Sequence, residues 1–571
     1  MVKLFIDGMS IEANDGITIL EAAKLAKVNI PTLCYLKEIN EIGACRICVV
    51  EVEGRDRLVA ACNTPIEEGM QVHTNSEKIR LARKTNLELI LSEHDYHCPT
   101  CIRSGNCKLQ TLAQEMNILD IPFEQKTAKN KWKASDILLR KDSKCIKCLR
   151  CVSVCDKVQG LGVWELRGNG AHANVVVRGG ANLSNICSLC GQCVTHCPVG
   201  ALSARDDTEK VFAAINNPEK IVVVQVAPAV RTAWCEGLGI APEAATEKRM
   251  AAAMRALGAD YVFDTNFSAD LTIMEEGNEF TEKITSHDTH ALPMFTSCCP
   301  GWVRFVKMEY PELVPNLSSA KSPQQMFGAV AKSYFAEKIG VEPEKIFCVS
   351  VMPCMAKKYE CDVEKVNDAS VKDVDAVITT REFVRMLKEK YVNVAELPEE
   401  EFDSPLGESS GAGVIFGATG GVMEAALRTA YCLLTGEKPD VDAFKTIRGE
   451  SGWRDAVVEV GGKHVRIAVA SGLGEARKLI EAIKSGKTQY DFVEIMACPG
   501  GCTGGGGQPI NDGCELALAR GEKLYDLDRS RSIRFSHENP SVKTLYDEYF
   551  GKPLSEKSHH LLHTNQESWK L

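Results

Sequence analysis

The stretch ACPGGCTGGGGQP, Ala497 to Pro509, puts six glycines, two prolines and two cysteines into thirteen residues. A phosphate-binding loop is the first explanation to try, because backbone N–H groups close on a polyphosphate where side chains are absent. The pattern excludes it: no Gly-Lys-Ser/Thr closes the loop and no G-x-G-x-x-G is present. A flexible surface loop would not spend two cysteines. The cysteines are therefore the residues to follow outward.

The chain has 571 residues, 44% of them hydrophobic, and 25 cysteines. That length exceeds what one core supports, so several globular domains are expected. Two settings permit so many cysteines: a secreted disulfide scaffold, or a reducing compartment in which thiolates hold metal. MVKLFIDGMSIEANDG at the N-terminus carries Lys3 and Asp7 and lacks the apolar run and small-residue cleavage site of a secretory signal. IVVVQVAPAV (221–230) is interrupted by Gln225 and Pro228, and no apolar run reaches membrane-spanning length. The expectation is a soluble, cytoplasmic metalloprotein with no membrane contact. A net charge of -10 disfavours nucleic acid as a partner.

Cys34, Cys45, Cys48 and Cys62 follow an alternating strand, a glycine turn, a second strand and the helical TILEAAKLAKV. Four thiolates with a C-x2-C core and distant outer partners suit a [2Fe-2S] cluster, in which each iron takes two cysteines. A zinc site is the alternative. The ten-residue first gap resembles the ferredoxin-like module of the large iron-sulfur subunit of complex I. HDYHCPTCIRSGNC then supplies only Cys98, Cys101 and Cys107. A [4Fe-4S] cubane needs a fourth ligand. His94, one helical turn before Cys98, can place an imidazole on the same face, with His97 as its rival. This spacing also resembles the complex I subunit.

CIKCLRCVSVC and CSLCGQCVTHCP repeat C-x2-C-x2-C-x3-C at Cys145, Cys148, Cys151, Cys155 and at Cys187, Cys190, Cys193, Cys197. In such a pair each run gives three ligands to one cubane and its fourth to the other, which holds two [4Fe-4S] clusters close together. Asp156 in the first run stands where the second has Pro198. Four clusters in series before residue 200 describe a wire, and a wire needs a terminus where electrons do chemistry.

Beyond about residue 209, strands feed helices: KIVVVQVAPAV, EKRMAAAMRALGADYVFD, KIFCVSVMPC, VDAVITTREFVRMLKEK and HVRIAVASGLGEARKLIEAIKSG. This order predicts α/β layering with mostly parallel sheets. Cysteines now sit in three strings, MFTSCCPGWVRF, SVMPCMAKKYE and EIMACPGGCTGGGGQP. These strings resemble the signatures of the [FeFe]-hydrogenases, and the cluster modules before them resemble the long, many-clustered form of that enzyme. The fold class is thus a multidomain α/β protein: a β-grasp [2Fe-2S] ferredoxin-like domain (1–78), a His/Cys3 [4Fe-4S] domain (79–124), a bacterial 2[4Fe-4S] ferredoxin domain (137–208), and a large α/β H-cluster domain with a C-terminal tail (209–571).

The resemblance implies the rest. Cys299, Cys354, Cys498 and Cys502 would hold a cubane, with Cys502 bridging to a two-iron unit that bears carbon monoxide, cyanide and an azadithiolate. Together with one [2Fe-2S] and three accessory [4Fe-4S] clusters, this H-cluster completes the cofactor set. Glycines 500, 501 and 504–507 would let backbone approach the bulky cluster. Lys357 matches a lysine that hydrogen-bonds a cyanide. Pro228 or Ala229, with Ser322, Pro323 and Gln324, resemble other contacts to the diatomic ligands, and Met352, Met496 and Phe416 would wall the pocket or pack as ordinary core. Cys298 would lead a proton path that continues through Glu279, Ser318 and Glu276. The two glutamates share a helix face at i and i+3, and Lys283 stands at the outer end, where the family often has arginine. Cys235, Cys348, Cys361, Cys432 and Cys514 read as buried thiols, and the tail SHHLLHT as solvated.

The implied function is reversible interconversion of protons and electrons with dihydrogen. Partners would be ferredoxin, or flavoprotein NADH-oxidising and small [2Fe-2S] subunits of a bifurcating complex, together with hydrogenase maturation proteins. A hydrogen-sensing homologue, which often alters the proton path, and a non-catalytic iron-sulfur protein, which has no use for Cys298 and Lys357, are the rivals.

Overall fold

The computed structural model describes every residue except 128–135, 287–291, 368–370, 450–451, 461, 513–514 and 570. Cys514 therefore lies outside the described residues.

Strands Val2–Ile6 and Met9–Ala13 pair antiparallel across a two-residue turn at Asp7 and Gly8, both with positive φ. That geometry matches the strand twist of a tight hairpin. Val2–Ile6 also pairs parallel with Gln71–His73, and the five-stranded sheet continues through Val49–Val52 to Val59–Ala60. Helix Ile19–Leu25 starts in a capping box, with Thr18 accepting from Glu21 N and Glu21 reaching back to Thr18.

Helix Glu77–Ser92 is N-capped by Ser76 and buries Leu87 and Leu91 in a cluster shared with Leu109 and Leu112. It ends two residues before His94, so His94 and Cys98 do not share a helix face. The physical reason is a neighbour. Asp95 N donates to Ser143 O at 2.7 Å and Lys144 Nζ to Asp95 O at 2.8 Å, which draws the chain out of the helix onto the 142–145 turn.

The two cysteine runs repeat in backbone as well as in sequence. Lys147 and Leu189 occupy one left-handed position (φ 54° and 59°), and Leu149 and Gly191 the next (φ 62° and 76°). Short helices Arg150–Ser153 and Gln192–Thr195 follow.

The large domain holds two four-stranded sheets. One is wholly parallel, in the order Tyr261–Asp264, Ile221–Val226, Ile346–Met352, Ala376–Thr379. The other runs Met294–Phe295, Phe492–Met496, Lys463–Ser471, Trp453–Val460, with only its edge hairpin antiparallel. Crossover helices cover the parallel strands, which are buried on both faces and read as continuous apolar runs.

The C-terminal tail is solvated only in part, at His559 and His560. Leu561, Leu562 and His563 are buried, Ala320 and His563 form an antiparallel bridge, and Lys321 N donates to Leu562 O at 2.8 Å. In helix Glu556–Leu562 the buried positions are Ser558, Leu561 and Leu562, an i, i+3, i+4 stripe. Among the described residues no helix is long and apolar enough to cross a membrane.

A thiol pocket at the strand ends

In open α/β sheets, sites form where parallel strands end at their carboxyl edge. Four strands end here together, at Val226, Phe295, Met352 and Met496. The residues just beyond them enclose a cavity of about 70 Å³. Cys298, Cys299, Cys354, Cys502 and Lys357 line it. Met352, Phe416 and Met496 form its apolar wall, with Pro228, Ala229, Pro323 and Gln324 around the rim. Cys498 sits behind, close enough to feel the charges of Cys354, Cys299 and Cys502.

Ser322 does not line the cavity. Its Oγ donates to Glu360 Oε2 at 2.9 Å, and the same oxygen accepts from Lys357 Nζ at 2.8 Å and Gln324 Nε2 at 3.2 Å. Glu360 is thus the hub that orients two pocket residues, Lys357 and Gln324, together with Ser322 outside the cavity. Sequence reasoning misses it, although its i, i+3 spacing from Lys357 in SVMPCMAKKYE is the signal for it. Lys357 Nζ also donates to Cys298 O at 3.0 Å. Burial opposes its charge, but Glu360 and the neighbouring thiols outweigh that and raise its pKa above the ordinary lysine value.

Glu276 is fully buried, and neither of its oxygens has a hydrogen-bond partner of normal geometry. Burial, and then the charge of Glu279, push its pKa up to about 8, which Ser318 and the Ser297 backbone offset only in part. Among the carboxylates it contributes most to the electrostatic environment of Cys298, whose thiol burial keeps protonated. Ser318 Oγ donates to Glu279 Oε2 at 2.7 Å, and Lys283 Nζ pairs with Glu279 Oε1 at 2.8 Å near the surface. The spatial order is therefore Cys298, Glu276, Ser318, Glu279, Lys283, which reverses the two glutamates relative to the sequence expectation. Helix Thr265–Thr285 enters the core at its N-terminal end, so the earlier glutamate lies deeper.

A carboxyl held neutral in the folded chain but ionised in the unfolded one makes stability fall as pH rises between the two pKa values. Denaturation midpoints should thus decrease from about pH 4.5 to about 8, and Glu276→Gln should flatten that decline. An unchanged slope in the variant would remove Glu276 as its source.

The remaining thiols gather in four groups. The Cys34 and Cys45 thiols lie within hydrogen-bonding reach of each other, as do those of Cys48 and Cys62, and all four are free. Cys98, Cys101 and Cys107 lie within reach of one another's charge. Of the two candidate histidines, His94 is buried with an orphaned Nδ1, whereas His97 is largely exposed and paired to Asp95. Cys145, Cys148 and Cys151 share a cavity with Cys197, and Cys193 clusters with Cys187, Cys190 and Cys155. Each run thus lends its fourth cysteine to the other group. Among the described residues no three such side chains close on a single metal ion. Thiols arranged around a cavity, with a buried imidazole nitrogen lacking any protein partner, fit clusters of several irons.

The groups form a fork rather than a series in chain order. Asn40 Nδ2 donates to both Cys34 O (2.7 Å) and Cys148 O (3.0 Å), joining the first group to the third. Arg103 Nη1 donates to Cys197 O at 2.9 Å, and a Cβ on Gly200 would lie 2.7 Å from Cys101 Sγ, so the second group abuts the third as well. The group that includes Cys190 meets the pocket, where Cys498 Sγ lies 3.7 Å from Cys190 O. Here the glycine run finds its reason. Added Cβ atoms would meet Pro499 O at 2.1 Å (Gly504), Pro353 O at 2.2 Å (Gly505), Cys190 O at 2.5 Å (Gly506) and Pro353 C at 2.7 Å (Gly507). These four glycines admit protein backbone: their own loop at Pro499, the Cys354 loop and the ferredoxin-like run.

Cys235, Cys348 and Cys361 are buried as expected, and Cys432 is half-buried.

Fold and site define an iron-sulfur oxidoreductase in which accessory clusters converge on a buried thiol pocket. Residues 220–506 match the family described as iron only hydrogenase large subunit, C-terminal domain, and the chain belongs to that family as an [FeFe]-hydrogenase with accessory iron-sulfur domains. Residues 1–77 match a 2Fe-2S iron-sulfur cluster binding domain, 83–122 the NADH-ubiquinone oxidoreductase-G iron-sulfur binding region, and 184–203 a 4Fe-4S binding domain. The tail, 514–568, matches the iron hydrogenase small subunit. The chain is 48% identical to the NADP-reducing hydrogenase subunit HndD of Solidesulfovibrio fructosivorans, covering 99% of this chain and 98% of that protein. It is 39% identical to iron hydrogenase 1 of Clostridium pasteurianum, covering 99% of each. A variant of the apo [FeFe]-hydrogenase HydA1 from Chlamydomonas reinhardtii superposes with a TM-score of 0.57 at 45% identity, covering 63% of this chain and 98% of that one.

Proposed function

We propose that the chain reversibly converts two protons and two electrons to dihydrogen at an H-cluster in this pocket. The observation that carries the reading is the placement of Cys298, facing the cavity between the pocket thiols and the buried Glu276. Cys299, Cys354, Cys498 and Cys502 would hold the cubane, with Cys502 shared with the two-iron unit. That group, when bound, supplies the redox chemistry and the making and breaking of the H–H bond. The protein does the rest. Lys357, Gln324 and the rim residues Pro228, Ala229 and Pro323 orient the group, with Ser322 acting through Glu360. Met352, Phe416 and Met496 exclude water from the cavity. Cys298 Sγ holds a proton at the wall, and the carboxyls of Glu276 and Glu279, with the Ser318 hydroxyl between them, carry it to Lys283 at the surface.

The accessory ligands are the [2Fe-2S] set Cys34, Cys45, Cys48 and Cys62, then His94 with Cys98, Cys101 and Cys107, then the two crossed cubane sets. The domain boundaries proposed are 1–78, 79–124, 137–208 and 209–571, in a cytoplasmic protein. The fork offers two inlets for electrons, which suits one partner at each. Ferredoxin is one; likeness to a subunit of an NADP-reducing hydrogenase supports flavoprotein and small [2Fe-2S] subunits as the other. Dedicated maturation proteins would install the two-iron unit.

The partner is tested by anaerobic dihydrogen evolution from the matured chain supplied with reduced ferredoxin or a reduced viologen. Brisk evolution from both is the expected result for a self-sufficient enzyme. Evolution from the dye alone would mean that electrons normally arrive through a subunit partner, and evolution from neither would leave the hydrogen-sensing reading.

A further inference from the structure

We infer that His563, from the small-subunit-like tail, is a positioning residue of the proton path: it fixes Ser319, whose backbone holds the carboxylate of Glu279. This rests on the proposed path through Glu276, Ser318 and Glu279. Buried Glu275 sets the tautomer of the imidazole. Its Oε1 accepts from Tyr546 OH at 2.5 Å, and its Oε2 from Leu554 N at 2.9 Å and from His563 Nε2 at 3.0 Å. A carboxylate only accepts, so Nε2 carries the hydrogen, and in the neutral imidazole Nδ1 is left to accept. Ser319 Oγ donates to that Nδ1 at 2.8 Å.

Ser319 is then held on three sides. Its hydroxyl is bound by His563, its carbonyl accepts from Thr564 N at 2.8 Å, and its N–H points at both oxygens of Glu279 at 3.2 Å. The Ser318 hydroxyl, one residue earlier, donates to the same carboxylate. Residues 318 and 319 therefore present two donors to Glu279, and the tail determines where they stand. His563 is nearly solvent-free and is not among the residues that line the pocket, so it acts through Ser319 rather than on a reacting atom. His559, stacked on it with ring centroids 4.7 Å apart, keeps the ring plane fixed from the outer side.

The test uses the matured holoenzyme, evolving dihydrogen from a reduced viologen in H₂O and in D₂O. His563→Ala and Ser319→Ala should each slow evolution about tenfold, the usual scale for loss of an orienting contact. Both should raise the solvent isotope effect with iron content unchanged. The double variant should be no slower than the slower single, because the two residues act as one unit. His563→Asn, which can still accept from Ser319, should recover part of the rate. His563→Ala also strips a donor from buried Glu275 and weakens the fold, so if it loses iron, Ser319→Ala decides alone. Wild-type rate and isotope effect in Ser319→Ala, or effects that multiply in the double variant, would overturn the proposal. Glu279→Gln separates this from the path itself. A full rate in Glu279→Gln removes the path, whereas a slowed Glu279→Gln beside an unaffected Ser319→Ala removes only the role of His563.

Discussion

Cys298→Ala should lower dihydrogen evolution by about 10²–10⁴-fold, the range for loss of a positioned proton-transfer group, while iron content and the spectra of the accessory clusters stay as they are. Cys298 lines the cavity but is not one of the four thiols proposed for the cubane, and Glu276 lies behind it, fully buried and without a hydrogen bond of normal geometry. Remove the thiol, and the wall of the cavity offers no exchangeable proton between the pocket and that carboxyl. Lys357 does not substitute, because its ammonium is committed to Glu360 and to the Cys298 carbonyl. Serine should fare little better, since a hydroxyl gives up its proton far less readily than a thiol. A Cys298→Ala enzyme with near-normal turnover would show that protons reach the pocket by another route.

Gly506→Val should uncouple electron supply from the pocket. A Cβ at this position would lie 2.5 Å from Cys190 O and 2.7 Å from Gly191 Cα, and both are backbone atoms that cannot rotate aside. Gly191 faces the same limit from the other side, with a Cβ falling 2.9 Å from Gly506 Cα. Overpacking of this kind costs about 1–3 kcal/mol when neighbours can shift and more when they cannot. The available relief is to push the Cys187–Cys197 run away from the loop carrying Cys498 and Cys502. Evolution driven by electrons arriving through the accessory clusters should then fall steeply. Isotope exchange between dihydrogen and D₂O, which needs no external electrons, should fall much less. Equal losses in both assays would place the damage in the pocket itself, and no loss in either would mean the contact is not the electron crossing.

Much of this site is legible in the sequence because ligation is local. Two thiolates bound to one cluster are often only a few residues apart, so the runs at Cys145 and Cys187 announce themselves, as do the strings around Cys299, Cys354 and Cys498. What depends on distant chain is not legible. Nothing near Gly506 reveals that the Cys190 carbonyl will lie against it. The fork rests on Asn40 and Arg103, each reaching a carbonyl more than ninety residues away in sequence. The order of Glu276 and Glu279 depends on which end of their helix enters the core, and i, i+3 spacing is silent about direction. In the tail the three histidines draw the eye, although Ser558, Leu561 and Leu562 carry the buried stripe. His94 stands out because three cysteines need a fourth ligand, yet the helical face expected for it does not exist; a contact from Asp95 to Ser143 turns the chain instead.

Infrared spectroscopy of the anaerobically matured protein shows whether an H-cluster occupies the pocket, because carbon monoxide and cyanide bound to iron absorb where no protein group does. Such bands are expected, shifting when dihydrogen is admitted. The same bands should persist in Cys298→Ala, where turnover is lost. Fully loaded accessory clusters without those bands, in a protein that evolves no dihydrogen from a reduced dye, would contradict an H-cluster in this pocket.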